Sequence, residues 1–571
     1  MKKLAMMTVK GIIGLVPKPV RNKLKSNHKL TEFYSRSLQR SGLFYGFPSQ
    51  KKLMALYSFF LKHQEAEIER KVAAIPNVDE MFLVIVGCKN ISRTLDNLKL
   101  LGVSKRNIKV VTKERDIQGL TGVTSISAAC ASIPERNQIV FINSGDTLHP
   151  KALTLFSLHG SSAGIAYSDT DKANKKKQND SPHFLPSWNP DLQFSTAYVS
   201  TGVVCSSSVL NKATIKSSTI AGMISELWLL DSSISIKHIP YTLIHRSDDA
   251  IVTRKSLEDV GSALRALSNA ASNYDETLQI NNIQWPVVEQ PLISLIIPTK
   301  NGKDLVRACI DSILEKTVYQ NYEILLIDNG SDDSESLSYF SELERHPKIR
   351  VLRYPGEFNY SAINNFGVQY AKGSLIGLIN NDIEVIKPSW LTTMIGHALR
   401  EDIGCVGAKL LYSDGRIQHA GVVLGYGGGA GHAHKYFPRY HPGYIKRLIA
   451  TQNYSAVTAA CLVVKKSLFH KVGGLNEKDL AVAFNDVDFC LRVKETGVRN
   501  IYCAEAELYH HESVSRGLDH APEKAARFNK ELAYLRTNWV SYIKSDPAYS
   551  PNLTLKRENF SVKEKEEFVF R

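Results

Sequence analysis

No CxxC pair occurs in the 571 residues, and the 8 cysteines are scattered along the chain. That spacing fits free thiols in a reducing compartment better than a disulfide frame or a zinc site. Neither GxGxxG nor GxxxxGK(S/T) occurs, so the usual dinucleotide and P-loop phosphate cradles are missing. No apolar run reaches the ~20 residues of a membrane helix. The start comes nearest, but Lys10 interrupts it. Acidic residues are absent from residues 1–30, where Lys2, Lys3, Lys10, Lys18, Arg21, Lys23, Lys25 and Lys29 stand among Leu4, Met6, Ile12, Ile13 and Leu15.

That imbalance is part of a wider one. The net charge is +15, which suggests an anionic partner. A signal peptide would need a small-residue cleavage site, and Val16-Pro17-Lys18 offers none. A basic amphipathic segment on an anionic membrane surface fits the start better, with a merely solvated basic end as the equal alternative. No aromatic-basic pattern supports nucleic-acid binding. A cytoplasmic protein, peripheral on the inner face of the cytoplasmic membrane, is expected.

The length calls for more than one domain. Residues 1–78 read as a basic, mainly helical region. Buried-strand patterns appear at 81–86, 107–111 and 138–142. Residues 279–290, with Pro286 and Pro291 near their end, read as a linker. Apolar strand runs resume at 292–297, 323–327 and 374–379, and continuous apolar strands belong to sheets covered on both faces. Between them, Val306, Ile310 and Ile313 mark one face of a helix over 304–316. Strand, helix, strand means a parallel α/β sheet. Val140-Phe141-Ile142-Asn143-Ser144-Gly145-Asp146 parallels Gly377-Leu378-Ile379-Asn380-Asn381-Asp382, so the chain reads as two tandem Rossmann-like domains, 79–278 and 291–520, with a helical tail over 521–571.

In open α/β sheets ligands bind at the carboxyl ends of the strands. Those ends carry Pro298-Thr299-Lys300-Asn301-Gly302, Asp328-Asn329-Gly330-Ser331 and Asn380-Asn381-Asp382. With no phosphate cradle, a nucleotide here would be held by carboxylates and, through its diphosphate, by a hard divalent ion, Mg²⁺ or Mn²⁺. Read without a ligand, the same residues are Asx-type turns after buried strands.

From 294 to 517 these segments, in this order, resemble the family-2 glycosyltransferases with the GT-A fold, and in particular the two-domain bacterial rhamnosyltransferase and O-antigen type. That resemblance implies two GT-A-like domains. It places Pro298, Thr299, Asn301, Asp328 and Asn380 at the nucleotide, with Asp328 on the base. It places Asp382 on the metal, although two members of this DxD-type motif are Asn, which should weaken binding. In Phe484-Asn485-Asp486-Val487-Asp488 it makes Asp486 the general base, supported by Asp488, with Asn485 as the helix cap. A capped helix without catalysis is the plain alternative. In Leu508-Tyr509-His510-His511 it makes His510 the metal histidine, with His511 as the alternate, and Arg516 a diphosphate contact. Gly427-Gly428-Gly429-Ala430-Gly431-His432-Ala433-His434 reads as an acceptor-side loop, without the spacing for zinc.

In the first half the resemblance, carried by Tyr167-Ser168-Asp169-Thr170-Asp171 and Ser187-Trp188-Asn189-Pro190-Asp191, is chemically poor. Thr112 stands where the base-binding Asp is expected and Ile224 where the general base belongs, though Asp146 survives. This domain is expected to be degenerate. The whole implies an inverting transfer from a UDP- or dTDP-sugar to a hydroxyl of a surface polysaccharide or lipid-linked glycan. A nucleotidyltransferase would need a richer basic loop than Pro298 to Gly302 provides. A non-catalytic carbohydrate-binding or scaffold protein is the alternative from another class.

Overall fold

The computed structural model describes residues 49–73, 81–135, 137–160, 164–172, 181–211, 214–247, 252–511 and 522–568, with Pro17 and Val20. The basic start and Arg516 therefore lie outside the described residues. The chain divides into two compact units. One comprises Met1–Ile283, Tyr549–Thr554 and Phe560–Arg571; the other comprises Gln284–Ala548 and Leu555–Asn559.

The second unit is built on a mixed sheet. Strand Ile293–Thr299 is buried at every position and pairs in parallel with Tyr322–Asp328 on one side and Leu375–Ile379 on the other. Tyr322–Asp328 pairs in parallel with Ile349–Arg353. Helix Lys303–Lys316 makes the first crossover and buries Val306, Cys309, Ile310 and Ile313, the i, i+3, i+4, i+7 stripe of an amphipathic helix. Beyond Leu375–Ile379 the sheet continues through Cys461–Lys465, Ile403–Leu411, Arg499–His510 and Ile383–Val385. Chain order thus runs outward from Ile293–Thr299 in one direction, then restarts on its other side. Such a reversal opens a crevice at the strands' carboxyl ends.

Pairing with Leu375–Ile379 stops at Ile296, two residues short of Pro298. Proline is tolerated inside this central strand because its missing N–H faces no ladder partner there. The strand then turns sharply: Asn301 and Gly302 both adopt left-handed backbone, φ 52° and 70°, before the helix starts. Asn and Gly are the residues that enter this region at least cost.

The first unit repeats this plan. Its strands Leu120–Val123, Ile108–Val111, Met81–Val86, Gln138–Asn143, Val203–Ser206, Ile165–Lys172, Ile236–Arg246 and Thr147–Leu148 lie in the same spatial order with the same directions as those eight of the second unit. A short outer strand, Asp116–Ile117, is added at one edge. The α/β class and the internal duplication expected from the sequence hold.

Two boundaries differ from expectation. Ile280–Gln284, expected as linker, is a strand paired with Ala271–Asp275. Its polar residues are satisfied internally: Asn281 is buried and donates from Nδ2 to the carbonyls of Phe194 (3.0 Å) and Leu257 (2.9 Å). The tail is helical over Pro522–Asn538 and Val540–Lys544, but Tyr549–Thr554 and most of residues 555–568 are not. Among the described residues no helix is long and apolar enough to cross a membrane.

A Cβ at Gly302 would meet no atom within 4 Å, so only backbone strain opposes one there. Gly302→Ala should cost about 1–2 kcal/mol, read as a lower denaturant midpoint, while Gly302→Asn should cost less.

Candidate active site

Asp328 ends its strand opposite Thr299 and is buried. Its Oδ1 accepts from the Ser331 N–H at 2.8 Å, and its Oδ2 accepts from Arg353 Nη1 at 2.9 Å. The turn role that the sequence allowed is therefore realised. Each carboxylate oxygen keeps a second lone-pair direction for another donor.

The neighbouring loops are laced together. The Asn301 N–H donates to Ser331 Oγ (2.7 Å), its Oδ1 accepts from the N–H groups of Asp332 (3.0 Å) and Asp333 (3.1 Å), and its Nδ2 donates to Asp332 Oδ1 (2.8 Å). Asn301, expected at the nucleotide, uses its whole amide to shape the loop wall. Across the crevice, Asn381 Nδ2 donates to Thr299 Oγ1 at 3.0 Å. That bond joins the two strand ends where their ladder has stopped.

Asn380 and Asp382 follow the Leu375–Ile379 strand. Asp382 is buried, and its Oδ1 lies 3.2 Å from His510 Nε2. Asn380 Nδ2 lies 3.2 Å from the same nitrogen. The antiparallel register Ile383↔His510 brings this histidine in from the far end of the chain. Successive side chains on a strand point to opposite faces, and this separates the two histidines. His511 turns the other way, to Ser413 Oγ (2.7 Å) and Glu384 (3.2 Å). Asp382 and His510 offer one hard oxygen and one imidazole nitrogen. Two ligands about 2.1 Å from one octahedral ion stand roughly 3 Å apart, so this pair fits a divalent cation. No cluster of three or more His, Cys, Asp or Glu side chains suited to a metal occurs among the described residues.

Asp486 is the second residue of helix Asn485–Lys494 and is half-buried. Its Oδ2 accepts from the Ala459 N–H (3.1 Å) and its Oδ1 from the Val487 N–H (2.9 Å). Burial pushes its carboxyl above the usual aspartate range, and these hydrogen bonds oppose that only in part. The Tyr360 hydroxyl stands 2.9 Å from Asn380 Oδ1 and 3.2 Å from the Ala459 carbonyl. The Asn380 N–H in turn donates to the Ala460 carbonyl at 2.9 Å. One continuous set of contacts thus links Asp328, through Thr299 and Asn381, to Asp382 and His510, and through Tyr360 and Ala459 to Asp486.

One expectation about the base helix needs revision. Asn485 is not its N-cap: Phe484 holds that position in left-handed backbone (φ 60°), and Asn485 Nδ2 donates back to the Val482 carbonyl at 3.0 Å. Asp488 is buried and accepts from Arg492 Nε (2.8 Å) and Trp539 Nε1 (2.9 Å). It ties the helix to the tail. The sequence marked that tail as helical but gave no sign of its contact with the base helix. Glu531 on helix Pro522–Asn538 accepts from the N–H groups of Val482 (2.9 Å) and Ala483 (3.1 Å), just ahead of Asp486. Sequence reasoning missed Tyr360, whose only local signal is the Asn359 cap that starts its helix.

In the first unit the matching positions are closed off. Ile224 is fully buried in helix Ile220–Leu230. Asp146 Oδ2 accepts from Thr201 Oγ1 (2.9 Å) and its Oδ1 from the Ser247 N–H (3.2 Å), and burial raises its carboxyl to about 6. His245, which matches His510 through the register Thr147↔His245, is bound instead to Asp171 at 2.6 Å.

Residues 294–473 match the family model described as Glycosyl transferase family 2. Over 468 residues the chain is 39% identical to the uncharacterized protein y4gI of Sinorhizobium fredii (strain NBRC 101917 / NGR234), covering 77% of this chain and 51% of that protein. Over 471 residues it is 33% identical to the O-antigen biosynthesis protein RfbC of Myxococcus xanthus, covering 78% of this chain and 36% of that protein. The chain therefore spans about half of the first relative and about a third of the second. A solved structure, the mannosyltransferase PcManGT from Pyrobaculum calidifontis in complex with GDP-Man and Mn²⁺, aligns with 47% of this chain and 70% of its own at 15% identity and a TM-score of 0.35. The crevice between the strand ends lies largely within the matched segment, and the chain carries a domain of the glycosyl transferase family 2.

Proposed function

We propose that the protein is an inverting glycosyltransferase that moves a sugar from a UDP- or dTDP-sugar to a hydroxyl of a bacterial surface polysaccharide or lipid-linked glycan. One observation carries this reading: in a family-2 domain, a buried aspartate at a strand end, an Asp–His pair and a half-buried aspartate with raised proton affinity are joined, through Thr299, Asn381, Asn380, Tyr360 and Ala459, by neighbouring strand ends and short hydrogen bonds. RfbC, the relative named for O-antigen biosynthesis, supports the polysaccharide acceptor.

In this mechanism Asp328 accepts from the imide N–H of the nucleobase, and Arg353 screens its charge. Asp382 and His510 would hold Mg²⁺ or Mn²⁺, which neutralises the donor's diphosphate when bound. Asp486 takes the proton from the acceptor hydroxyl as that oxygen attacks the anomeric carbon opposite the departing nucleoside diphosphate. One carboxylate suffices for such a single displacement. Its raised proton affinity brings it closer to the hydroxyl it must deprotonate. Asn485 and Asp488 are positioning residues, and Arg516 is proposed to meet the diphosphate. The basic segment 1–30 is proposed to hold the enzyme on the inner face of the cytoplasmic membrane.

Asp486→Asn should lower turnover by about 10²–10⁴, measured as nucleoside diphosphate release. The same change should not lower stability at pH 7.5. A carboxyl whose proton affinity is raised by folding is stabilising only while protonated, so its ionised form costs stability at neutral pH. The variant's melting temperature should match or exceed that of the wild type there, and any advantage should fade as pH falls through the raised value. The acid limb of kcat/KM should lie above the usual aspartate range. Loss of turnover with a collapsed melting temperature would mark Asp486 as structural, and full turnover in the variant would remove it as the base.

A further inference from the structure

A groove of about 440 Å³ lies in the second unit, outside the contacts that join Asp328 to Asp486. One wall is the outer face of helix Tyr360–Gln369, which presents Phe366 and Gln369; the other is formed by Phe469, His470 and the turn to Glu477. Tyr354, next to Arg353, also lines the groove. The Phe366 ring meets Tyr354 edge-on at 5.4 Å and Tyr370 at 5.0 Å, so an aromatic row runs along the helix. Beside it Gln369, His470 and Glu477 are exposed, an amide, an imidazole and a carboxylate at the surface.

The second wall of the groove is tied to the helix. Asn365 holds both the N–H and the carbonyl of Leu475, each at 2.9 Å. Asn359 Nδ2 donates to the Glu477 carbonyl (2.8 Å), and Ser361 Oγ donates to the Leu480 carbonyl (2.6 Å). The wall of the groove is thereby stitched to the amino end of the helix, where Tyr360 contacts Asn380. The same segment continues directly to Asp486. The helix has 10 residues, about 15 Å in length.

We infer that this groove is a subsite for the growing glycan, several sugars removed from the reacting hydroxyl. Pyranose rings offer apolar C–H faces to aromatic rings and hydroxyl edges to amides and carboxylates. Glu477 disfavours a second nucleotide or any other anion here. The inference rests on the transfer reading above, and it adds that affinity for the acceptor grows with chain length.

The test uses the full chain on a printed array carrying disaccharides and longer members of the same bacterial repeats, with UDP and Mn²⁺ present. Donor hydrolysis by the wild type is measured on the same preparation. The expected result is that a longer member binds more tightly than its disaccharide, and that Phe366→Ala and Gln369→Ala each weaken that binding by roughly tenfold. Gln369 is exposed, so its variant keeps the test open if Phe366→Ala fails to fold. Equal binding of short and long members, or unchanged binding in Gln369→Ala and in a folded Phe366→Ala, overturns the subsite. Either result with donor hydrolysis intact leaves the transfer reading standing.

Discussion

The second unit depends on a ladder that stops early. Ile293–Thr299 and Leu375–Ile379 run side by side only as far as Ile296. Past that point each strand sends its backbone polar groups elsewhere: Thr299 receives Asn329, and Asn380 reaches Ala460. The opening between them lies where chain order reverses, and Thr299, Asp328, Asn380 and Asp382 stand at the strand ends beside it. Thr299 and Asn381 bridge it with a single side-chain bond. This is how buried apolar strands, which need no polar side chains along their length, come to end in a ring of Asp and Asn.

The duplicated unit shows what that opening requires. The first unit has the same strand order and the same closing register, yet Thr201 and Ser247 occupy its aspartate and Asp171 holds its histidine. Conserved topology with redirected side chains fits a unit kept for its packing. The chemistry lies in a few contacts laid on the scaffold rather than in the scaffold itself.

The strands were legible because they are buried on both faces, which leaves an unmistakable apolar run. Asp328 and Asp382 were legible because each ends or follows such a run, whereas His510 closes a strand that carries Glu505 and Glu507 and was read from the family resemblance alone. Features set by distant parts of the chain were not. Asn485 has the composition of a helix cap, but Phe484 enters left-handed backbone and displaces it, with Glu531 holding the segment before it from the tail. Ile280–Gln284 looked like linker because its side chains are polar, and only the carbonyls of Phe194 and Leu257 explain why Asn281 is buried. Tyr360 carries no local mark of its place between Asn380 and Ala459. Propensity reads neighbours in sequence, whereas these positions answer to neighbours in space.

On this reading the chain holds one metal–nucleotide site, in the second unit. Calorimetric titration of UDP or dTDP in the presence of Mn²⁺ tests it most directly, comparing the wild type with Asp382→Asn and Asp146→Asn. One nucleotide per chain is expected, lost in Asp382→Asn and unchanged in Asp146→Asn. Nucleotide binding that survives in Asp382→Asn and disappears in Asp146→Asn would contradict it.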